Sequence, residues 1–221
     1  MNNKKLMIIT IIVVVVAVAA IVILTKKINQ SDQENVQVEQ PNIENQPTLG
    51  MEDAPVSIVE FGDYKCPGCK AWTERVFPQL EKDYIKNGDV KLSYVNVLFH
   101  GDESFRAALA SESVFKQDPE AFWDFHEGLY QAQPATQQHD EKWVTTEKLL
   151  EIAKETVPNI DLDQLEKDIE EQGTKAEVSI DEQLVQKHNI ESTPSVIVNG
   201  VLVKDPFDYE AISNLIEKGL K

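Results

Sequence analysis

The 221-residue chain carries 38 acidic against 21 basic residues, a net charge of −17, and offers no basic footprint for nucleic acid. The imbalance grows where a folded domain can form, because setting aside the four lysines of the first 27 residues takes −17 to −21. Such a surface reads as soluble rather than as a site for an acid-specific partner.

Leu6 to Leu24 is an unbroken apolar run with Thr10 as its only polar member. At about 1.5 Å per residue it nearly matches the hydrocarbon core of a bilayer. The run continues as Ile-Val-Ile-Leu past Ala17, Ala19 and Ala20, and no cysteine stands at its end for lipid attachment. Residues 1–27 are therefore expected to be a cytoplasmic tail and an uncleaved signal anchor, with a cleaved signal peptide as the alternative. Lys4 and Lys5 are balanced by Lys26 and Lys27, so charge alone does not orient the segment. Residues 28–49 are rich in Gln, Asn and Glu without apolar periodicity, and are expected to be a polar linker.

From residue 50 to 221 the pattern predicts one domain. "VSIVEF" (56–61) reads as a buried strand, and Cys66 to Lys86 as a helix with Trp72, Val76, Phe77, Leu80 and Tyr84 on one face, kinked or broken at Pro78. "VKLSYVNVLF" (90–99) is the next strand, completing a βαβ unit with parallel strands. A helical block follows over about residues 101–187, with starts expected at Asp118-Pro119-Glu120 and at the capping box Asp161–Gln164. "SVIV" (195–198) and "VLVK" (201–204) flank Asn199-Gly200, a hairpin signal, and Asp208 is placed to cap a last helix.

Cys66 and Cys69 are the only cysteines. A bridge between residues three apart closes too short a loop to constrain the unfolded chain much, which disfavours a structural staple. Zinc needs four ligands, and His100, His126, His139 and His188 show no ligand spacing to complete a site. A redox couple needs only what is present. Cys66 opens a helix, where unsatisfied N–H groups and the dipole favour a thiolate, while Cys69 sits one turn in. Cys66 is thus the expected attacking and attacked sulfur and Cys69 the resolving one. Pro67 presets the first turn, and Gly68 is expected to let a substrate backbone come close.

Cys-Pro-Gly-Cys opening a helix after an apolar strand, and Ser192-Thr193-Pro194-Ser195 before "VIV", resemble the thioredoxin superfamily. The helices inserted before the final ββα resemble its DsbA-like branch. The resemblance implies a thioredoxin fold with an inserted helical domain, here behind one N-terminal transmembrane helix. It implies a cis Pro194 against the cysteines, Thr193 pairing with substrate through its backbone, and Glu60 as a buried acid moving protons to and from Cys69. Gln46, Glu112 and Asp181 fall where the oxygen ligands of a structural calcium would lie. The branch's strongly oxidising members carry a histidine between the cysteines that this chain lacks, so thiolate stabilisation should rest on the helix terminus and its N–H groups.

The resulting expectation is a membrane-anchored, extracytoplasmic disulfide oxidase acting on exported unfolded proteins with free thiols and reset by a quinone-linked DsbB-like membrane oxidoreductase. A reductase or isomerase on the same fold, and a tethered binding protein without turnover, are the alternatives, because direction follows reduction potential and partner.

Overall fold

The strand β1 (Val36–Gln37) opens the described part of the chain; the computed structural model describes residues 35–134 and 142–221, and the fold is that of the unit from Gln37 onward. The other strands are β2 (Thr48–Leu49), β3 (Val56–Gly62), β4 (Val90–Asn96), β5 (Ser195–Val198) and β6 (Val201–Leu202), in the order β1-β6-β5-β3-β4-β2. β3 runs parallel to β4 and antiparallel to β5, so the βαβ unit and the ββα ending both stand. The expected membrane segment, Leu6 to Leu24, lies outside the described residues. No described helix is long and apolar enough to cross a membrane.

Helix α1 (Pro67–Arg75) stops at Val76, and the chain continues as α2 (Phe77–Leu80) and a π-helical turn at Glu81–Ile85. The break falls where Pro78 lacks the N–H that a continuous helix would need. β4 ends at Asn96 rather than at Phe99. Between β4 and β5 come α3 (Asp102–Gln117), α4 (Phe122–Ala132), α5 (Thr146–Thr156), α6 (Leu162–Glu170) and α7 (Lys175–Lys187), and α8 (Tyr209–Gly219) closes the chain. Asp118 does not cap α4. Its carboxylate accepts from Glu120 N two residues on, its carbonyl accepts from Ala121 N, and this turn delays the helix to Phe122. Asp161 does cap α6, but Gln164 turns away to Asp168, and Asp161 N donates to Gln117 Oε1 instead of completing a capping box. Asp208 caps α8 through Ala211 N. Asn199 and Gly200, at φ 45° and 76°, make the tight turn of the β5–β6 hairpin, a conformation that glycine adopts without strain.

Part of the expected linker belongs to the sheet edges. Val38 N donates to Gly200 O at 2.7 Å, Tyr94 N to Pro47 O at 3.0 Å, and Thr48 Oγ1 meets Ser93 Oγ at 2.7 Å. Two-residue strands are too short to leave a periodic signature, and backbone pairing holds them with few apolar side chains.

One face of the sheet packs Val56, Ile58 and Leu92 against Trp72, Leu80, Ile212 and Ile216. The opposite face packs Val59, Phe61 and Val95 against Leu184 of α7. A third core, centred on Phe122, Phe125 and Leu129 of α4 with Leu149 and Leu165, also contains Tyr64, Cys66 and Cys69. The cysteine pair is thus packed into the helical domain.

Candidate active site

β3 delivers the chain to a loop, Asp63-Tyr64-Lys65, that leads into α1 with Cys66 at its N-cap. Cys66 N donates to Asp63 O at 2.9 Å, and Asp63 N donates to Cys69 Sγ at 3.4 Å. The Asp63 carboxylate accepts from Lys65 N (2.8 Å), Phe99 N (3.0 Å) and Ser104 Oγ (3.0 Å), and pairs with His100 Nδ1 (2.8 Å). It therefore binds the cysteine loop to the segment that enters the helical block.

Two further clamps hold the loop. Gln133, beyond α4, donates through Nε2 to Tyr64 O at 2.6 Å and Cys66 O at 3.2 Å. Lys65 Nζ lies 2.6 Å from Glu103 Oε2, and Glu103 Oε1 accepts from Trp143 N and Val144 N. Sequence reading missed Asp63, Lys65, Glu103 and Gln133. A charged residue beside an active-site motif in sequence reads as surface, and only the fold shows that Lys65 is 4% exposed and Asp63 1%.

The two sulfurs are unbridged and chemically unequal. The Cys66 thiol is lowered to about 5. The largest cause is a hydrogen bond from the Cys69 thiol; burial opposes it, and the side chain of Thr193 and the N–H groups of Cys69 and Gly68 assist. The helix terminus contributes as expected, but the second cysteine contributes more. Cys69, fully buried, is pushed well up by desolvation, with the Cys66 and Glu60 charges adding.

The Thr193–Pro194 peptide is cis, and Cys66 Sγ donates to Thr193 O at 3.4 Å. Gly68 lies against both the cis-proline loop and the outer sulfur. A Cβ there would stand 3.2 Å from Pro194 Cδ and 3.4 Å from Cys66 Sγ, so its missing side chain leaves room for the cis-proline loop beside the sulfur. Pro67 occupies the first turn of α1, as expected. Glu60, the register partner of Tyr94 and Val196 at the sheet centre, is 1% exposed with Oε1 unpartnered. Burial, then the charge of Cys66, drives its carboxyl well above the usual range.

Gln46, Glu112 and Asp181 are brought together, away from the cysteines, around Asn96. Its Nδ2 donates to Glu112 Oε1 at 3.0 Å and Asp181 Oδ2 at 2.8 Å. Gln46 Oε1 and Asp181 Oδ1 are buried without partners, and burial raises both carboxyls, with the charge of Asp181 adding at Glu112 and that of Glu182 adding at Asp181. Oxygen donors of this kind suit calcium, but calcium takes six to eight of them. Among the described residues no group of three or more His, Cys, Asp or Glu could hold a metal ion. These side chains do not make a calcium site alone.

The arrangement of one activated and one shielded thiol against a cis-proline is that of a thiol–disulfide exchange site. A thioredoxin family model, described as "Thioredoxin", matches residues 42–218. The chain belongs to the thioredoxin family and, within it, to the DsbA-like thiol–disulfide oxidoreductases. It is 49% identical to disulfide bond formation protein D of Bacillus subtilis over 82% of this chain and 80% of that protein. It is 42% identical to probable disulfide bond formation protein D of Bacillus anthracis over 80% of this chain and 79% of that one. The crystal structure of oxidised BdbD from Bacillus subtilis superposes with a TM-score of 0.80 at 47% identity, covering 85% of this chain and 98% of that one.

Proposed function

We propose that the protein is a disulfide oxidase, anchored by residues 1–27 with its catalytic domain outside the cytoplasmic membrane. The observation that carries the direction is the lowered Cys66 thiol beside the raised Cys69. Stabilising the Cys66 thiolate stabilises the dithiol, and so makes the disulfide more oxidising. The names of the two relatives, disulfide bond formation protein D, support the same direction.

A substrate thiolate attacks Cys66 of the Cys66–Cys69 disulfide. A mixed disulfide forms, and Cys69 leaves and is protonated, with Glu60 as the nearby buried acid. A second substrate thiolate then attacks the substrate sulfur of the mixed disulfide and expels Cys66 as a thiolate. Two electrons pass from the substrate dithiol to the pair, and the substrate leaves with a disulfide. Thr193 offers its backbone beside Cys66 to an extended substrate segment, and Pro194 shapes that contact.

The substrates are exported unfolded proteins with free thiols, and a quinone-linked DsbB-like membrane oxidoreductase restores the disulfide. An external location suits this chemistry, because disulfides persist outside the cytosolic thiol pool. Calcium at Gln46, Glu112 and Asp181 belongs to this reading as a structural ion that would offset the two carboxylates. The unpartnered oxygens of Gln46 and Asp181 support it.

A Cys69→Ala variant should accumulate mixed disulfides with exported proteins, visible by non-reducing electrophoresis. Absence of such adducts would count against the oxidase. A midpoint potential near −120 mV would agree with an oxidant, whereas one near about −270 mV would indicate a reductase.

A further inference from the structure

The Asp63 carboxylate is a problem for the chemistry beside it. Its side chain has no solvent exposure, and its backbone is hydrogen-bonded to Cys66 N and to Cys69 Sγ. A buried negative charge on the turn that leads into Cys66 works against a thiolate there. Among the described residues, its four hydrogen-bonding partners include one group that can carry a compensating charge, the imidazole of His100.

We infer that His100 is a positioning residue for the redox pair, acting through Asp63: protonated, it cancels the buried carboxylate and favours the Cys66 thiolate, and neutral, it leaves that charge exposed to the sulfur. The histidine missing between the cysteines thus has a substitute from the segment that enters α3. This rests on the reading of Cys66–Cys69 as the redox couple.

Geometry allows the switch. The His100 side chain is 26% exposed, so it exchanges protons with solvent while its Nδ1 stays on Asp63. Three contacts other than the imidazole fix the carboxylate, so loss of the proton need not release it. Asp63, Cys66 and Lys65 bear on His100. Lys65 is offset by its ion pair with Glu103, which with Asp102 opens α3 beside His100. The imidazole is held above its ordinary value by the Asp63 hydrogen bond, with burial and Lys65 opposing and the charges of Asp63 and Cys66 adding.

Coupling of this kind is reciprocal. His100 must therefore titrate at higher pH in the reduced protein, which carries the thiolate, than in the disulfide form, which has none. His100→Gln keeps a hydrogen-bond donor for Asp63 and removes the charge. In that variant the Cys66 thiol, followed by ultraviolet thiolate absorbance, should bind its proton roughly three- to tenfold more tightly.

The inference is overturned if the Cys66 titration of His100→Gln superposes on that of the parent, even where the variant is less stable. It is equally overturned if NMR shows His100 of the parent protein titrating identically in both redox states. The thiolate titration uses reduced protein alone, so it reads the coupling whether or not the protein oxidises substrates. Failure of substrate trapping with an intact coupling would instead sink the oxidase reading.

Discussion

Asp63 N–H points at Cys69 Sγ across 3.4 Å, while the same residue's carboxylate is held by donors from the loop before Cys66 and from the entry to α3. One residue therefore fixes the inner sulfur and joins it to the helical block. Asp63→Asn keeps the size of the side chain but replaces one acceptor oxygen by a donor, facing groups that already donate. The reduced protein should lose about 2–4 kcal/mol. Urea unfolding checks this, and an unchanged midpoint would remove Asp63 from its central place.

The Cys66 thiol, at about 5, lies below its value in an unfolded chain, about 8.5. Between these values the unfolded reduced chain binds more protons than the folded one, so stability rises with pH. The contribution is complete above about pH 8.5 and is lost as pH falls through about 5. The disulfide form has no such thiolate. The gap in unfolding free energy between reduced and oxidised protein should therefore widen from pH 5 to pH 8.5, and a gap independent of pH would contradict the lowered thiol.

Glu60 titrates in the opposite sense. Burial raises its carboxyl, so the folded protein keeps this proton to higher pH than the unfolded chain does. Its effect is a loss of stability as pH rises from about 4.3, the unfolded value, towards the raised folded value. In the oxidised protein, where Cys66 does not contribute, Glu60→Gln should remove that loss and gain roughly 1–2 kcal/mol at neutral pH. The same variant should slow exchange steps in which Cys69 gains or loses its proton by about tenfold or more. Stopped-flow reduction by a dithiol measures it, and a rate equal to the parent's would deny Glu60 any part in proton transfer.

The acids around Asn96 predict a cation response. Without a cation, raised Glu112 and Asp181 make the protein less stable as pH climbs from about 4. Millimolar calcium at pH 8 should raise the melting temperature by several degrees. Asp181→Asn should be more stable than the parent in chelator and should lose most of the calcium response. Identical melting curves with calcium and with chelator would dispose of the ion.

The site was legible in sequence where chemistry is written in short spacings. Cys66 and Cys69 one turn apart, Pro67 at a helix start, and Thr193-Pro194 before a strand are local patterns, as is the Asn199-Gly200 turn. The parallel β3–β4 pair followed from two apolar runs flanking a helical pattern. What sequence did not carry is pairing at long range. Glu103 and Gln133 look like ordinary helix-surface residues, and their value lies in carbonyls, amides and an ammonium far along the chain. Gln46 sat in a stretch read as tether because one amide and two short strands leave no period. Asp118-Pro119 misled because an aspartate that begins a turn and one that begins a helix look alike until the amides that it bonds are known.

The bond between Cys66 Sγ and Thr193 O joins residues 127 positions apart. A chain that emerges amino end first displays its cysteines long before the segment that completes their surroundings has appeared. During that interval neither the cis-proline loop nor Gln133 nor Glu103 is in place, and the two thiols are as ordinary as those of any client. The difference between the two sulfurs is thus completed only with the last strands, when Thr193 and Pro194 reach Cys66.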